Sequence, residues 1–253
     1  MILAHRRRPR TFLLPVGAVC LLLFVATPVR AEPIGWPQPG QPGTPIILTY
    51  SFVNLFDPPF QGLDELQLRA ATAEAFGLWA QYAPLAFVEQ PDSGPPPSDQ
   101  DYSPDGVPEI RIGAHALGDG LILAHAFLPV ATDVSGLAGD IHFNSSSILS
   151  WGIEDGFPTV DFLEVMLHEI GHAIGLQHLD VEAILNPQHG FRFGRGASPY
   201  LLAPDIAAVQ AIYGAGVGWV EPVPEPSTIA LAGAGLILAF VRRHRQALTT
   251  RTS

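Results

Sequence analysis

The chain has 253 residues with a formal charge of −11, and every one of its 13 cations is an arginine. Nine of these precede residue 32 or follow residue 241, so the segment 32 to 222 sets four arginines (Arg69, Arg111, Arg192, Arg195) against 23 acids, a formal charge of −19. That argues against a nucleic-acid binder, which needs a cationic face, and a lone cysteine, Cys20, leaves no disulfide framework or thiolate metal site, so any metal must be held by histidine and carboxylate.

Residues 1 to 31 read as a secretory signal peptide: Arg6, Arg7, Arg8 and Arg10 at the start, an apolar middle from Phe12 to Ala26, and Val29-Arg30-Ala31 as a small-residue cleavage site. Residues 32 to 45 carry five prolines and three glycines and predict an extended linker. A β-branched and aromatic run, 46 to 53, predicts a strand. Residues 63 to 82 place Leu66, Ala70, Ala73, Phe76, Leu78 and Trp79 near helical spacing, a helix that ends before Pro84. A short strand follows at 85 to 88, then a Pro, Ser, Gly and Asp rich solvated loop at 91 to 108. Strands are expected at 109 to 112, 121 to 127 and 139 to 143. Helices are expected at 159 to 176 and at 204 to 213, the last with Pro204 in its first turn and Gly214 beyond its end.

Residues 217 to 226 form a second linker containing Val223-Pro224-Glu225-Pro226. An apolar segment at 227 to 241, expected as a short transmembrane segment, and a basic end at 242 to 253 follow. Fifteen apolar residues reach only about 22 Å, short of a ~30 Å hydrocarbon core. This order of parts resembles a PEP-CTERM sorting signal. The resemblance implies recognition by an exosortase in the envelope of an exopolysaccharide-making Gram-negative bacterium, with membrane contact through 227 to 241 before processing.

The second helix carries His168-Glu169-Ile170-Gly171-His172-Ala173-Ile174-Gly175-Leu176-Gln177-His178. Four residues bring His168 and His172 to one helix face, where both imidazoles can reach one ion. Glu169 lies one residue round, beside the metal rather than on it. A straight helix would carry His178 ~15 Å along the axis from His168, so Gly175 is expected to take positive φ, end the helix and fold His178 back as third ligand. Three histidines on zinc leave one coordination position open, the arrangement of a catalytic site. Glu169 is placed to take the proton of a water attacking a polarised carbonyl and to pass it to the departing amine.

With this motif the segment from about Ile46 to Tyr213 resembles a metzincin of the matrixin type, the matrix-metalloprotease kind of zinc endopeptidase. Leu48-Thr49-Tyr50, Gly77-Leu78-Trp79, Leu123-Ala124-His125-Ala126-Phe127 and Asp205-Ile206 through Ile212-Tyr213-Gly214 carry the rest of the likeness. The resemblance implies an α+β fold over residues 46 to 216: a twisted five-stranded mixed sheet, two long helices, and a small C-terminal subdomain with one helix. It also implies a protein or peptide substrate, with Leu123 and Ala124 on an edge strand and Pro187 further on lining its site, and with His189 either shaping the primary pocket or standing on a surface loop.

Three further histidines, His115, His125 and His142, fall where that family holds a structural zinc, on strands where unpaired imidazoles would be costly. The family's Asp two residues after the first of these is Leu117 here, so Asp119 is the expected fourth ligand, unless it belongs to the family's calcium-binding Asp-Gly. Asp140 and Asn144 are expected at calcium. The family's Met-turn methionine is Leu185, close in volume, and the family's propeptide cysteine is absent. These features predict an exported zinc endopeptidase at the cell surface or outside the cell. The alternative is a zinc-stabilised matrix or adhesion protein without turnover, marked by Leu185.

Overall fold

The computed structural model describes residues 34–41, 43–92, 94–99, 108–118, 120–129, 136–153, 159–187 and 199–221. The expected signal peptide, the tail beyond residue 221, Asp119, His189, Arg192 and Arg195 lie outside the described residues. No helix among the described residues is long and apolar enough to cross a membrane.

Strands β1 (Ile46–Phe52), β2 (Leu85–Glu89), β3 (Ile110–His115), β4 (Ala124–Ala126) and β5 (Ile141–Asn144) make the expected five-stranded mixed sheet, with only β4 antiparallel to its neighbour. Two strands of two residues each, Trp151–Gly152 (β6) and Val160–Asp161 (β7), form a separate parallel pair. A sixth strand, β8 (Trp219–Val220), is added parallel to β2, giving the order β4-β5-β3-β1-β2-β8. Nothing in hydrophobic periodicity announces so short a strand. It depends on close approach: a Cβ on Gly218 would lie 1.8 Å from the carbonyl oxygen of Leu85.

Helix α1 (Glu65–Ala80) starts at a capping box, with Gln67 N–H donating to the Asp64 carboxylate at 2.8 Å and Asp64 N–H to the Gln67 side chain at 3.0 Å. It packs against α2 (Phe162–Ala173), and the buried Trp79 indole N–H donates to the Leu167 carbonyl at 3.0 Å, locking the two helices in register. The start of α2 is fixed by aromatic packing: Phe162 stacks on Phe143 of β5 at 4.8 Å, with Phe60 and Trp151 edge-on around them. The helix therefore crosses the sheet with its far turns beside the edge strand β4. Helix α3 (Ala203–Tyr213) follows, its Asp205 accepting from Leu202 N–H at 2.9 Å.

Two loops do more than the composition suggested. In the Pro-rich stretch before β1, Trp36 docks its indole N–H on the Ala173 carbonyl at 2.9 Å and its backbone N–H on the Tyr213 hydroxyl at 3.1 Å. The stretch after β2, expected as a solvated loop, is pinned at Asp92, whose carboxylate receives the Nε and Nη2 of buried Arg111 at 2.7 and 2.9 Å. Proline and serine composition reports missing secondary structure, and it is blind to a buried ion pair that anchors a loop from outside.

Candidate functional site

Asp161 caps α2, its carboxylate accepting from Leu163 N–H at 3.0 Å, and the helix runs through Ala173. Gly175 then takes φ of +101°, and a Cβ there would stand 2.0 Å from the Ile34 carbonyl oxygen, so a larger residue is excluded twice over. Past this turn the chain doubles back and brings His178 to the other two histidines: its ring centroid is 4.7 Å from that of His172 and 5.4 Å from that of His168.

The ligand nitrogens of His168, His172 and His178 lie within 4.8 Å of one another. The Nε2 atoms of His168 and His172 are 3.1 Å apart, near the ~3.3 Å edge of a tetrahedron with the ~2.0 Å arms usual for zinc and imidazole. The other ring nitrogens face backbone carbonyls, His168 Nδ1 at 2.7 Å from Ile184 O and His172 Nδ1 at 2.7 Å from Leu176 O. Donation to those carbonyls fixes the tautomer that turns both Nε2 lone pairs toward the shared centre. Burial holds the His172 imidazole below its usual pKa, which favours the neutral form a metal needs. Donor chemistry, spacing and tautomer all fit a divalent zinc.

Glu169 is 5% exposed and burial pushes its carboxyl up to about 8. Its Oε2 has no hydrogen-bond partner among the described residues. It helps line a cleft of about 820 Å³ that runs between α2 and β4 and includes Leu123, Ala124, the three histidines and Pro187. Beneath the histidines Leu185 is fully buried, with its backbone N–H and that of Ile184 donating to Asp205 at 3.2 and 3.0 Å. A Cβ on Gly171 would come 2.8 Å from the Leu185 side chain and 3.1 Å from Trp79, so the leucine fills the floor against a bare turn of helix.

On the far side of the sheet edge His115, His125 and His142 converge on the carboxylate of Asp99. The contacts are His115 Nε2 to His142 Nδ1 at 3.1 Å and His125 Nε2 to His142 Nδ1 at 3.3 Å, with Asp99 Oδ1 at 3.2, 3.0 and 3.2 Å from His115, His125 and His142. Burial pushes His142 down to about 4, keeping it neutral. Asp99 carried no signal in the sequence, since it stands sixteen residues before His115 in a Pro and Ser rich stretch. Leu117, at the position where a carboxylate was sought, is 5% exposed and turned into the core.

Asp140 and Asn144 are buried and take part in internal hydrogen bonds. Asp140 accepts from Arg111 N–H at 3.1 Å. The Asn144 side-chain oxygen accepts from Leu117 N–H, Ser146 N–H and the Ser146 hydroxyl at 3.1, 2.9 and 2.7 Å, while its amide donates to Ile122 O at 2.8 Å.

Residues 44–214 match the profile of the matrixin peptidase family, and residues 222–246 match a PEP-CTERM protein-sorting motif. The chain is 34% identical over 172 residues to matrix metalloproteinase-C of Caenorhabditis elegans, covering 62% of this chain and 26% of that protein. It is 32% identical over 187 residues to stromelysin-3 of Xenopus laevis, covering 71% of this chain and 33% of that protein. With matrilysin of Felis catus the identity is 31% over 180 residues, 66% of this chain and 58% of that protein. The chain thus spans a third or less of the length of the first two of these relatives.

Proposed function

The chain belongs to the matrixin family of zinc peptidases, and from that premise we propose that it is an exported endopeptidase in which His168, His172 and His178 hold the catalytic zinc and Glu169 is the general base. The observation that carries this reading is the convergence of three imidazoles, two of them tautomer-fixed, beside a buried carboxylate in the wall of an open cleft. Held by these three histidines, zinc would supply a Lewis acid able to polarise a scissile carbonyl and make a water more acidic. Glu169 takes that water's proton on its carboxylate and returns it to the departing amine. The edge strand β4 borders the cleft, and an extended peptide can lie along it, touching Leu123 and Ala124 on one side and Pro187 on the other. His115, His125 and His142 hold a second, structural zinc in this reading.

Digestion of a peptide library by the purified protein tests the whole. Hydrolysis is expected to vanish with a chelator and return when zinc is restored. Leu185 beneath the histidines is the one observation that favours the alternative, a zinc-stabilised adhesion protein. A zinc-loaded wild type that cleaves nothing, with turnover appearing in Leu185→Met, would select it.

The sorting motif indicates an exported protein of the cell envelope. In our reading an exosortase-type enzyme removes the tail near Pro224-Glu225-Pro226, because the apolar stretch that follows is too short for a comfortable span. Mass spectrometry of protein extracted from native envelopes should find C-termini close to that motif. Chains ending at Ser253 in the mature envelope fraction would contradict it.

A further inference from the structure

Resting on the second zinc centre just described, we propose that Asp99 is its fourth ligand, delivered by a strap, Asp92 and residues 94 to 99, laid in register along one face of β3. Side chains two apart on a strand share a face, and on β3 these are Arg111, Gly113 and His115. The strap meets them in the same order. Arg111 receives Asp92 through two hydrogen bonds and donates from Nη2 to the Pro95 carbonyl at 2.6 Å. Gly113 receives Pro97: a Cβ on that glycine would stand 2.7 Å from the proline ring, so only glycine lets the strap lie this close. His115 receives Asp99, 3.2 Å from its Nε2.

Asp99 Oδ1 thereby completes a four-donor set. The five donor separations measured among its members run from 3.0 to 3.3 Å. Three imidazole nitrogens and one carboxylate oxygen at the corners of a tetrahedron with ~2.0 Å arms would stand about 3.3 Å apart. Three nitrogens around a single carboxylate oxygen crowd more donors on it than its lone pairs accept well, and a shared cation resolves that crowding. Two residues after His115 stands Leu117, buried and with its backbone N–H held by Asn144 at 3.1 Å, so that position offers no carboxylate. The ligand comes instead from the loop before β3, so the metal also ties down the strap's end.

Cobalt(II) loading of the metal-free full chain tests this, with Asp99→Cys as the reporter. A thiolate on cobalt gives a near-ultraviolet charge-transfer band, and the wild type, whose only cysteine is Cys20, is the blank. We expect two cobalt equivalents in both proteins, the band in Asp99→Cys alone and saturating with one equivalent, and at least about tenfold weaker second-site affinity in Asp99→Asn. Two equivalents bound with no band, together with undiminished affinity in Asp99→Asn, would overturn the role of Asp99 and leave the second centre standing. A wild type that takes up only one equivalent, with His115→Ala indistinguishable from it, would overturn the second centre itself. Asp99 is half exposed, so these exchanges leave the core untouched, and circular dichroism of each variant checks the fold.

Discussion

Glu169→Ala should leave the zinc content and fold of the protein near those of the wild type while lowering peptide hydrolysis by roughly 10²- to 10⁴-fold, the loss typical of a general base. The separation follows from geometry. His168, His172 and His178 make the ligand cluster, and Glu169 stands outside it, one residue round the helix. Its carboxylate faces the cleft with one oxygen unengaged among the described residues. Zinc binding alone has no use for a buried carboxyl that burial pushes up to about 8, and such a group in a core is a cost unless chemistry employs it. Glu169→Gln tests the same point with shape preserved, since an amide cannot accept the proton. His172→Ala is the contrast: it should lose zinc and activity together, because two imidazoles hold the ion poorly. Residual hydrolysis equal in wild type and Glu169→Ala would assign the measured activity to a contaminant and remove the basis of the protease reading.

The catalytic cluster could be read in the sequence because all its parts are local. A four-residue interval on a helix fixes two histidines, and one glycine able to take positive φ turns the chain for the third. Helices and the five main strands were legible for the same reason, through flanking prolines and glycines and β-branched runs, although the face read for α1 was not the buried one: Leu66 is 70% exposed, and Leu68, Ala75, Phe76 and Trp79 are buried. What stayed hidden depends on backbone laid against backbone. Strand β8 has two residues and is held by the close passage of Gly218 over Leu85. The docking of Trp36 on the end of α2 joins residues 137 apart. Asp99 reaches its histidines only because a proline-rich strap runs in step with β3, and no spacing rule connects the two. Composition counted the cations of the acidic body but did not show that Arg111 would be buried, nor that its partner would decide where a metal ligand lands.

That arginine carries the second large effect. Arg111→Met should destabilise the protein by about 3 to 5 kcal/mol, the usual result of leaving one member of a buried ion pair alone. For a chain of this size that is a fall in Tm of roughly 6 to 20 °C. The side chains of Arg111 and Asp92 are 1% and 8% exposed, so water replaces little of what is lost. The pH dependence has a definite sign. Burial by itself pushes the Asp92 carboxyl up, but hydrogen bonds from Arg111 and Ser51 outweigh it and hold the group below its ordinary value. A carboxylate depressed in the folded state contributes stability that is complete above its unfolded pKa of about 3.9 and is lost as pH falls through the lower folded value. The deficit of Arg111→Met should accordingly be greatest near neutral pH and shrink as pH falls, because without Arg111 the buried Asp92 carboxyl takes up a proton more readily than in the wild type. Adding Asp92→Leu should restore much of the stability at neutral pH, since two apolar side chains need no partner. It should not restore the second metal site, because the strap that carries Asp99 would have lost both its ion pair and the hydrogen bond to Pro95. Thermal melts across pH paired with cobalt titration read both consequences, and a Tm within about 2 °C of wild type for Arg111→Met would show that the strap is held by other contacts.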